Sequence, residues 1–282
     1  MSKTKTKRAR RELKREGQKK LQRSAKAASK AHPPASKPPT TTKPKSKPSN
    51  PAPAPTSTPS QPVQKHTHPN PFTTYANILL VGEGDFSFTR SLALTHGCAH
   101  LVASSYDSES TLLSKYPSFA PIRSTLTSLT PPVPLYHSID ATKLHTYKHL
   151  RPADDDTSAS FDVICFMFPH TGGLSTDVNR QVRANQALLV GFFESCLKDT
   201  KRGPMLDAGG KVVVALFEGE PYTLWNVRDL ARHAGLRVVE SWGFEWGDYP
   251  GYKHVRTLGV VEGGGGWRGE ERRARMFLFE KV

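Results

Sequence analysis

Two carboxylates stand inside a glycine turn in Ile78-Leu-Leu-Val-Gly-Glu-Gly-Asp-Phe-Ser-Phe88, and their spacing makes them the residues best placed to hold a charged ligand. A G-x-G turn directly after an apolar strand lets the backbone approach a ligand at the strand's carboxyl edge, where open α/β sheets bind. The dinucleotide fingerprint asks for a third glycine where Ser87 stands, and Glu83 with Asp85 would repel a pyrophosphate. A ligand carrying an ammonium and a sulfonium, S-adenosylmethionine, suits an acidic loop better than NAD or ATP does. Gly82, Glu83, Gly84, Asp85, Phe86 and Ser87 are therefore the expected cofactor loop. An ordinary tight βα turn is the plain alternative for the same residues.

Two further acids stand where a nucleoside would need them. Asp107 ends the strand pattern Leu101 to Tyr106, 23 residues past Gly84, near the offset at which a carboxylate meets ribose hydroxyls. Ser108 and Glu109 behind it leave a helix N-cap as the other reading. Asp140 follows a short strand at Val133 to His137 and is expected to border the adenine. The almost wholly apolar run Phe161 to Phe168 reads as a central strand buried on both faces, and it empties into Pro169-His170-Thr171-Gly172-Gly173. Pro169 and His170 would then sit beside the group being transferred. His170 is the first candidate for proton acceptor or hydrogen-bond partner of the acceptor, with Asp248 and His254 behind it. A loop histidine that satisfies a carbonyl is the bland alternative.

The elements that must position these residues alternate strand and helix, which predicts a parallel sheet covered on both faces. A strand over Asn77 to Val81 leads to a helix over Ser87 to Thr95, capped by Asp85 or Ser87, with Gly97 beyond its end. A helix over Thr176 to Leu197 places Leu188, Leu189, Phe192, Phe193 and Leu197 at core spacing. Strands over Gly210 to Phe217, Leu236 to Phe244 and Arg275 to Glu280 bring the total to about seven. Between them, Glu245 to Gly259 mixes aromatic rings with Lys253, His254 and Arg256, a composition able to stack a base and hold phosphates, or simply to form a small core. Gly263 to Gly266 reads as a flexible insert.

The chain carries a net charge of +15, yet residues 1 to 70 alone hold 18 Lys and Arg against Glu12 and Glu16. The basicity belongs to a tail, and the remaining 212 residues suit one α/β domain. We divide the chain into a basic tail over 1–32, a Pro/Ser/Thr-rich disordered linker over 33–71 and a folded domain over 72–282. The clusters Lys7-Arg-Ala-Arg-Arg11 and Lys14-Arg15 are consistent with nuclear import and with salt-dependent phosphate contacts. No secretory h-region and no apolar run of bilayer length is visible, so a soluble intracellular protein with no membrane partner is expected. Cys98, Cys165 and Cys196 show no metal spacing, and no metal is expected.

Taken together, the Gly-Glu-Gly-Asp-Phe-Ser-Phe run, Tyr-Asp-Ser108, Asp140-Ala-Thr142, Phe-Pro-His170 with Gly172 and Gly173, Asn179-Arg180, and Tyr252 to Gly259 resemble the Rossmann-like fungal 25S rRNA (uridine-N3) methyltransferases. The resemblance spans about residues 75 to 282. It implies a seven-strand methyltransferase fold, S-adenosylmethionine as donor, and N3 of a uridine in large-subunit rRNA as acceptor. It also implies pre-ribosomal particles as partner and the nucleolus as the place of work. The chain departs from the family at Met167, where an asparagine is usual. Uridine N3 is a weakly acidic imide nitrogen, so transfer needs in-line placement and loss of one proton, with no covalent adduct. Methylation at pyrimidine C5 would need a thiolate, and Cys165 lies inside an apolar strand. A non-catalytic assembly factor with the same fold, and a methyltransferase acting on another RNA base or a protein, are the alternatives.

Overall fold

The computed structural model of the chain describes residues 68–151, 160–172, 177–200, 202–259 and 269–282. The chain divides into two units, Met1–Val63 and Gln64–Val282. The first unit, and with it the expected tail and most of the expected linker, lies outside the described residues, as does the glycine insert at Gly263 to Gly266.

Among the described residues of the second unit nine strands form: β1 (Asn77–Val81), β2 (His100–Ser104), β3 (Leu135–Tyr136), β4 (Phe161–Met167), β5 (Asp199–Thr200), β6 (Gly203–Pro204), β7 (Leu206–Phe217), β8 (Leu236–Gly243) and β9 (Ala274–Lys281). The helices are α1 (Ser87–Leu94), α2 (Glu109–Lys115), α3 (Phe119–Thr127), α4 (Val178–Leu197) and α5 (Val227–Ala234). Seven strands make one sheet in the order β3-β2-β1-β4-β7-β9-β8, and β5 with β6 makes a small hairpin. The first five strands of that order run parallel, while β9 is antiparallel to both β7 and β8. Strand order reverses between β1 and β4, which opens a crevice at their carboxyl ends.

Period-two alternation decides which face each strand residue covers. Ile78 and Leu80 of β1 pack with Leu92 of α1, Leu112 of α2 and Phe119 of α3, whereas Leu79 and Val81 pack with Leu189, Phe192 and Phe193 of α4. The same split runs through β4 and β7, so both strands are apolar throughout their central residues, as a sheet covered on both faces requires.

Three expectations change. The α1 cap is neither Asp85 nor Ser87: Phe86 occupies that position in the left-handed region, at φ 62°, with no side-chain capping bond. The open amides are met from upstream instead, since Ser87 N–H donates to Asp85 Oδ1 at 3.0 Å and Thr89 N–H donates to Glu83 Oε2 at 3.3 Å. Strand β7 begins at Leu206, with a register shift opposite Phe161 and Val163 that absorbs Gly209 and Gly210. The folded part also begins before Phe72: the His68 ring stacks on Trp242 at 5.4 Å and its Nδ1 lies 2.8 Å from Glu240 Oε1.

Candidate active site

At the crevice lies a cavity of about 670 Å³ walled by the ends of β1, β2 and β4. Glu83 is its most perturbed acid. Burial pushes its pKa up to about 7, Asp85 adds to the rise, and the bonds from Thr89 work against it. Asp85 accepts from Ser87 N–H and, at 2.7 Å, from the Ser118 hydroxyl, which fixes both carboxylate oxygens. Across the cavity, Lys115 Nζ donates to Asp107 Oδ2 at 2.8 Å. The N-cap of α2 is Ser108, so Asp107 is not the cap and its carboxylate faces the cavity. Asp140 accepts from Thr142 N–H at 2.9 Å and from its hydroxyl at 2.7 Å. Burial works to raise the Asp140 pKa, but the Thr142 bonds and Lys143 outweigh it and hold the group below its ordinary value. Four acids thus line one chamber, which favours a cationic occupant.

A second chamber of about 270 Å³ continues past the end of β4 toward the end of β7. The two share Phe168, His170, Gly172, His254, Thr257 and Leu258, and the second adds Phe217, Tyr222 and Arg256. Phe168 takes a positive φ of 51°, a strained conformation for an aromatic residue, and stacks on Trp246 at 5.4 Å. That kink turns the chain out of β4 and aims the next residues at the junction. Gly172 N–H donates to His170 Nδ1 at 2.8 Å, so the neutral ring carries its proton on Nε2 and presents a donor. Burial lowers the His170 pKa, which keeps that neutral form dominant. Burial, Arg272 and His170 push His254 down to about 4.

Two positioning features were not visible from local pattern. Asn185 of α4 is buried, and its side-chain oxygen accepts Thr171 N–H at 2.9 Å while its nitrogen donates to Gln181 O. It pins the loop that carries His170. The segment 251–259 crosses the mouth as a strap: Arg90 donates to Gly251 O, Ser87 and Lys253 exchange bonds, Tyr116 OH donates to Arg256 O at 2.8 Å, and Lys115 donates to Thr257 O at 3.1 Å.

Of the residues expected from sequence, Gly82, Glu83, Gly84, Asp85, Asp107, Asp140 and His170 line the first chamber. Phe86 does not; it is buried against Phe119 and His137. Ser87 is held by the strap, and Pro169 is not among the lining residues. Asp248 lies on an exposed turn away from the cavity, with its backbone oxygen 2.9 Å from His96 Nε2. Cys165 is fully buried and burial pushes its thiol well up, which removes it as a nucleophile.

Residues 79–256 match the family model described as rRNA (uridine-N3-)-methyltransferase BTM5-like. The chain belongs to this family. Among the family's relatives, the 25S rRNA (uridine(2634)-N(3))-methyltransferase of Saccharomyces cerevisiae is 31% identical over 255 residues, covering 75% of this chain and 74% of that protein. The heavy metal-associated isoprenylated plant protein 41 of Arabidopsis thaliana is 37% identical over 185 residues, 64% of this chain, but the chain spans only 33% of that protein's length. Among solved structures, TrmN from Thermus thermophilus aligns with a TM-score of 0.41 at 16% identity, over 74% of this chain and 45% of that one. Every acid of the first chamber and the His170 loop fall within the family match.

Proposed function

We propose that the domain methylates N3 of a uridine in large-subunit rRNA, with S-adenosylmethionine in the acid-lined chamber and the uracil ring in the aromatic one. The observation that carries this reading is the meeting of the two chambers at His170 and Phe168. The donor fits the residues present: Glu83 and Asp85 suit its ammonium, while Asp107 and Asp140 suit its ribose and adenine side. When bound, it supplies an electrophilic methyl group.

The chain's own work is positioning and charge stabilisation. Phe168, Phe217 and Tyr222 give this chamber aromatic walls whose rims a pyrimidine can pack against, with Phe168 itself stacked on Trp246 and Arg272 lying over Phe217. His170 Nε2–H donates to a uracil carbonyl oxygen and stabilises the negative charge that develops as the N3 proton leaves. The proton is released to solvent, because His170 Nδ1 is engaged by Gly172 and His254 is too weak a base. N3 lies on the Watson-Crick edge, so the target uridine is unpaired or flipped out when it enters. The basic segment over residues 1 to 70 supplies the long-range attraction for pre-ribosomal RNA in the nucleus and nucleolus.

Nucleoside mass spectrometry of large-subunit rRNA from cells lacking the protein, rescued with wild type or His170→Ala, tests the reading. Loss of 3-methyluridine restored by wild type alone is the expected result. An unchanged 3-methyluridine level in the deletion strain would overturn it.

A further inference from the structure

A third cavity, of about 380 Å³, lies on the face covered by α4, between the turn over Ala141–Thr146 and the β5–β6 hairpin. His145, Lys148, Arg151, Thr200 and Arg202 line it, and no acidic side chain is among its described lining residues. Arg151 is the post that builds it. Its guanidinium donates to Pro204 O at 2.9 Å, to Gly203 O at 3.1 Å and to the Thr200 hydroxyl, tying the hairpin to the turn. Burial and the neighbouring Arg202 both push the Arg151 pKa down, so two like charges are held close in one recess. This concentration of cations stands out in a folded part whose net charge, by subtraction of the tail, is about −1.

The recess lies at the amino edge of the sheet, since Phe161 N–H at the start of β4 donates to Met205 O beside the hairpin, whereas both chambers open at the carboxyl ends. Asp140 lines the first chamber, and the turn that follows it runs along α4 until His145 Nδ1 lies 3.2 Å from Ser195 Oγ. Strand β4, seven residues at about 3.3 Å each, sets the span between the two edges of the sheet at about 23 Å.

We propose that this recess binds a backbone phosphate of the RNA substrate, several nucleotides from the uridine being methylated. The inference rests on the proposed function for its choice of RNA as the anion. Lys148 and Arg202 are the phosphate-facing cations, and Arg151 is a positioning residue.

The test uses the full chain carrying Lys148→Ala and Arg202→Ala, with Arg151 left in place to keep the hairpin. Binding to a stem-loop RNA of about 20 nucleotides with one unpaired uridine is titrated against salt, beside binding to a uridine trinucleotide too short to reach the recess. The expected result is an affinity for the stem-loop lowered about tenfold and a log-log salt slope shallower by about one to two, with trinucleotide and cofactor affinities unchanged. The paired variant Lys148→Arg with Arg202→Lys should restore the slope. A stem-loop affinity and slope equal to wild type would overturn the proposal, and so would an equal loss on the trinucleotide. The titration needs no turnover, so a chain that binds as expected but makes no 3-methyluridine would sink the proposed function and leave the recess standing.

Discussion

Glu83 accepts two hydrogen bonds from Thr89, one from its backbone N–H at 3.3 Å and one from its hydroxyl at 3.1 Å, across the turn that opens α1. These bonds favour the ionised carboxylate, but burial and Asp85 outweigh them and leave the pKa near 7. Because the folded pKa lies above the ordinary 4.5, the folded chain binds this proton more tightly than the unfolded chain does, and the group's effect on stability worsens as pH rises from 4.5 through about 7. A cation bound beside it reverses the preference. S-adenosylmethionine affinity should therefore rise between about pH 6 and about pH 8, with proton release on binding, and Glu83→Gln should flatten the rise. Calorimetry in buffers of differing ionisation enthalpy measures the released proton; a pH-independent affinity in the wild type would contradict the assignment.

The His170–Gly172 bond makes a prediction that separates a hydrogen-bond donor from a general base. Removing one donor to a developing oxyanion costs about 10²-fold to 10³-fold in turnover. His170→Ala should lose about that much while cofactor affinity stays within a few fold. At saturating cofactor, wild-type turnover should climb with pH toward the ionisation of the uridine itself and show no histidine inflection near about pH 6.5. An inflection that disappears in His170→Ala would restore the general-base role.

Asp107 and Lys115 test the ribose side. Their ion pair is partly exposed and contributes little by itself to stability. Asp107→Asn removes the charge but keeps the shape, so it should weaken S-adenosylmethionine binding about tenfold with the melting temperature nearly unchanged. Equilibrium binding beside a thermal melt separates the two effects.

Much of this was legible locally. The bounds of β1 follow from its apolar run and the glycine that ends it, and Asp107 follows from the length of one strand-helix-strand unit. What escaped was non-local. Phe86 sits in a loop whose neighbours suggest ligand contact, yet its ring is consumed by Phe119 and His137, residues distant in sequence. Asn185 reads as an ordinary polar residue on a helix until α4 is docked, when its amide meets Thr171. Asp248 is an acid in an aromatic-rich segment, and only the folded structure shows that it sits on an exposed turn outside the chamber lining. Periodicity reports burial along one element, and none of these contacts lies within one element.

The tail gives a prediction of another kind. With residues 1–63 deleted, the remaining unit keeps every described residue of both chambers. RNA affinity should fall and its salt dependence flatten by several units of slope, because most of the chain's excess Lys and Arg is removed. Cofactor affinity should not change. An unchanged RNA affinity would confine the tail to nuclear import.

The two glycines of the acidic loop should fail for different reasons. Gly82 has φ +68°, and a Cβ there would lie 2.2 Å from Phe166 Cε2 in the core, so Gly82→Ala strains the backbone and the packing together. Gly84 has no such φ, and a Cβ there would instead lie 2.4 Å from Val255 Cγ2, a side chain of the strap. Gly84→Ala therefore pushes the strap off the mouth rather than blocking the cofactor directly. Overpacking of this kind costs about 1–3 kcal/mol, and shrinking the partner relieves it. Val255→Ala should restore activity to Gly84→Ala but do nothing for Gly82→Ala, as read from turnover of the four variants with cofactor affinity measured in parallel. A Gly84→Ala defect that Val255→Ala leaves untouched would mean that the alanine methyl meets the cofactor itself.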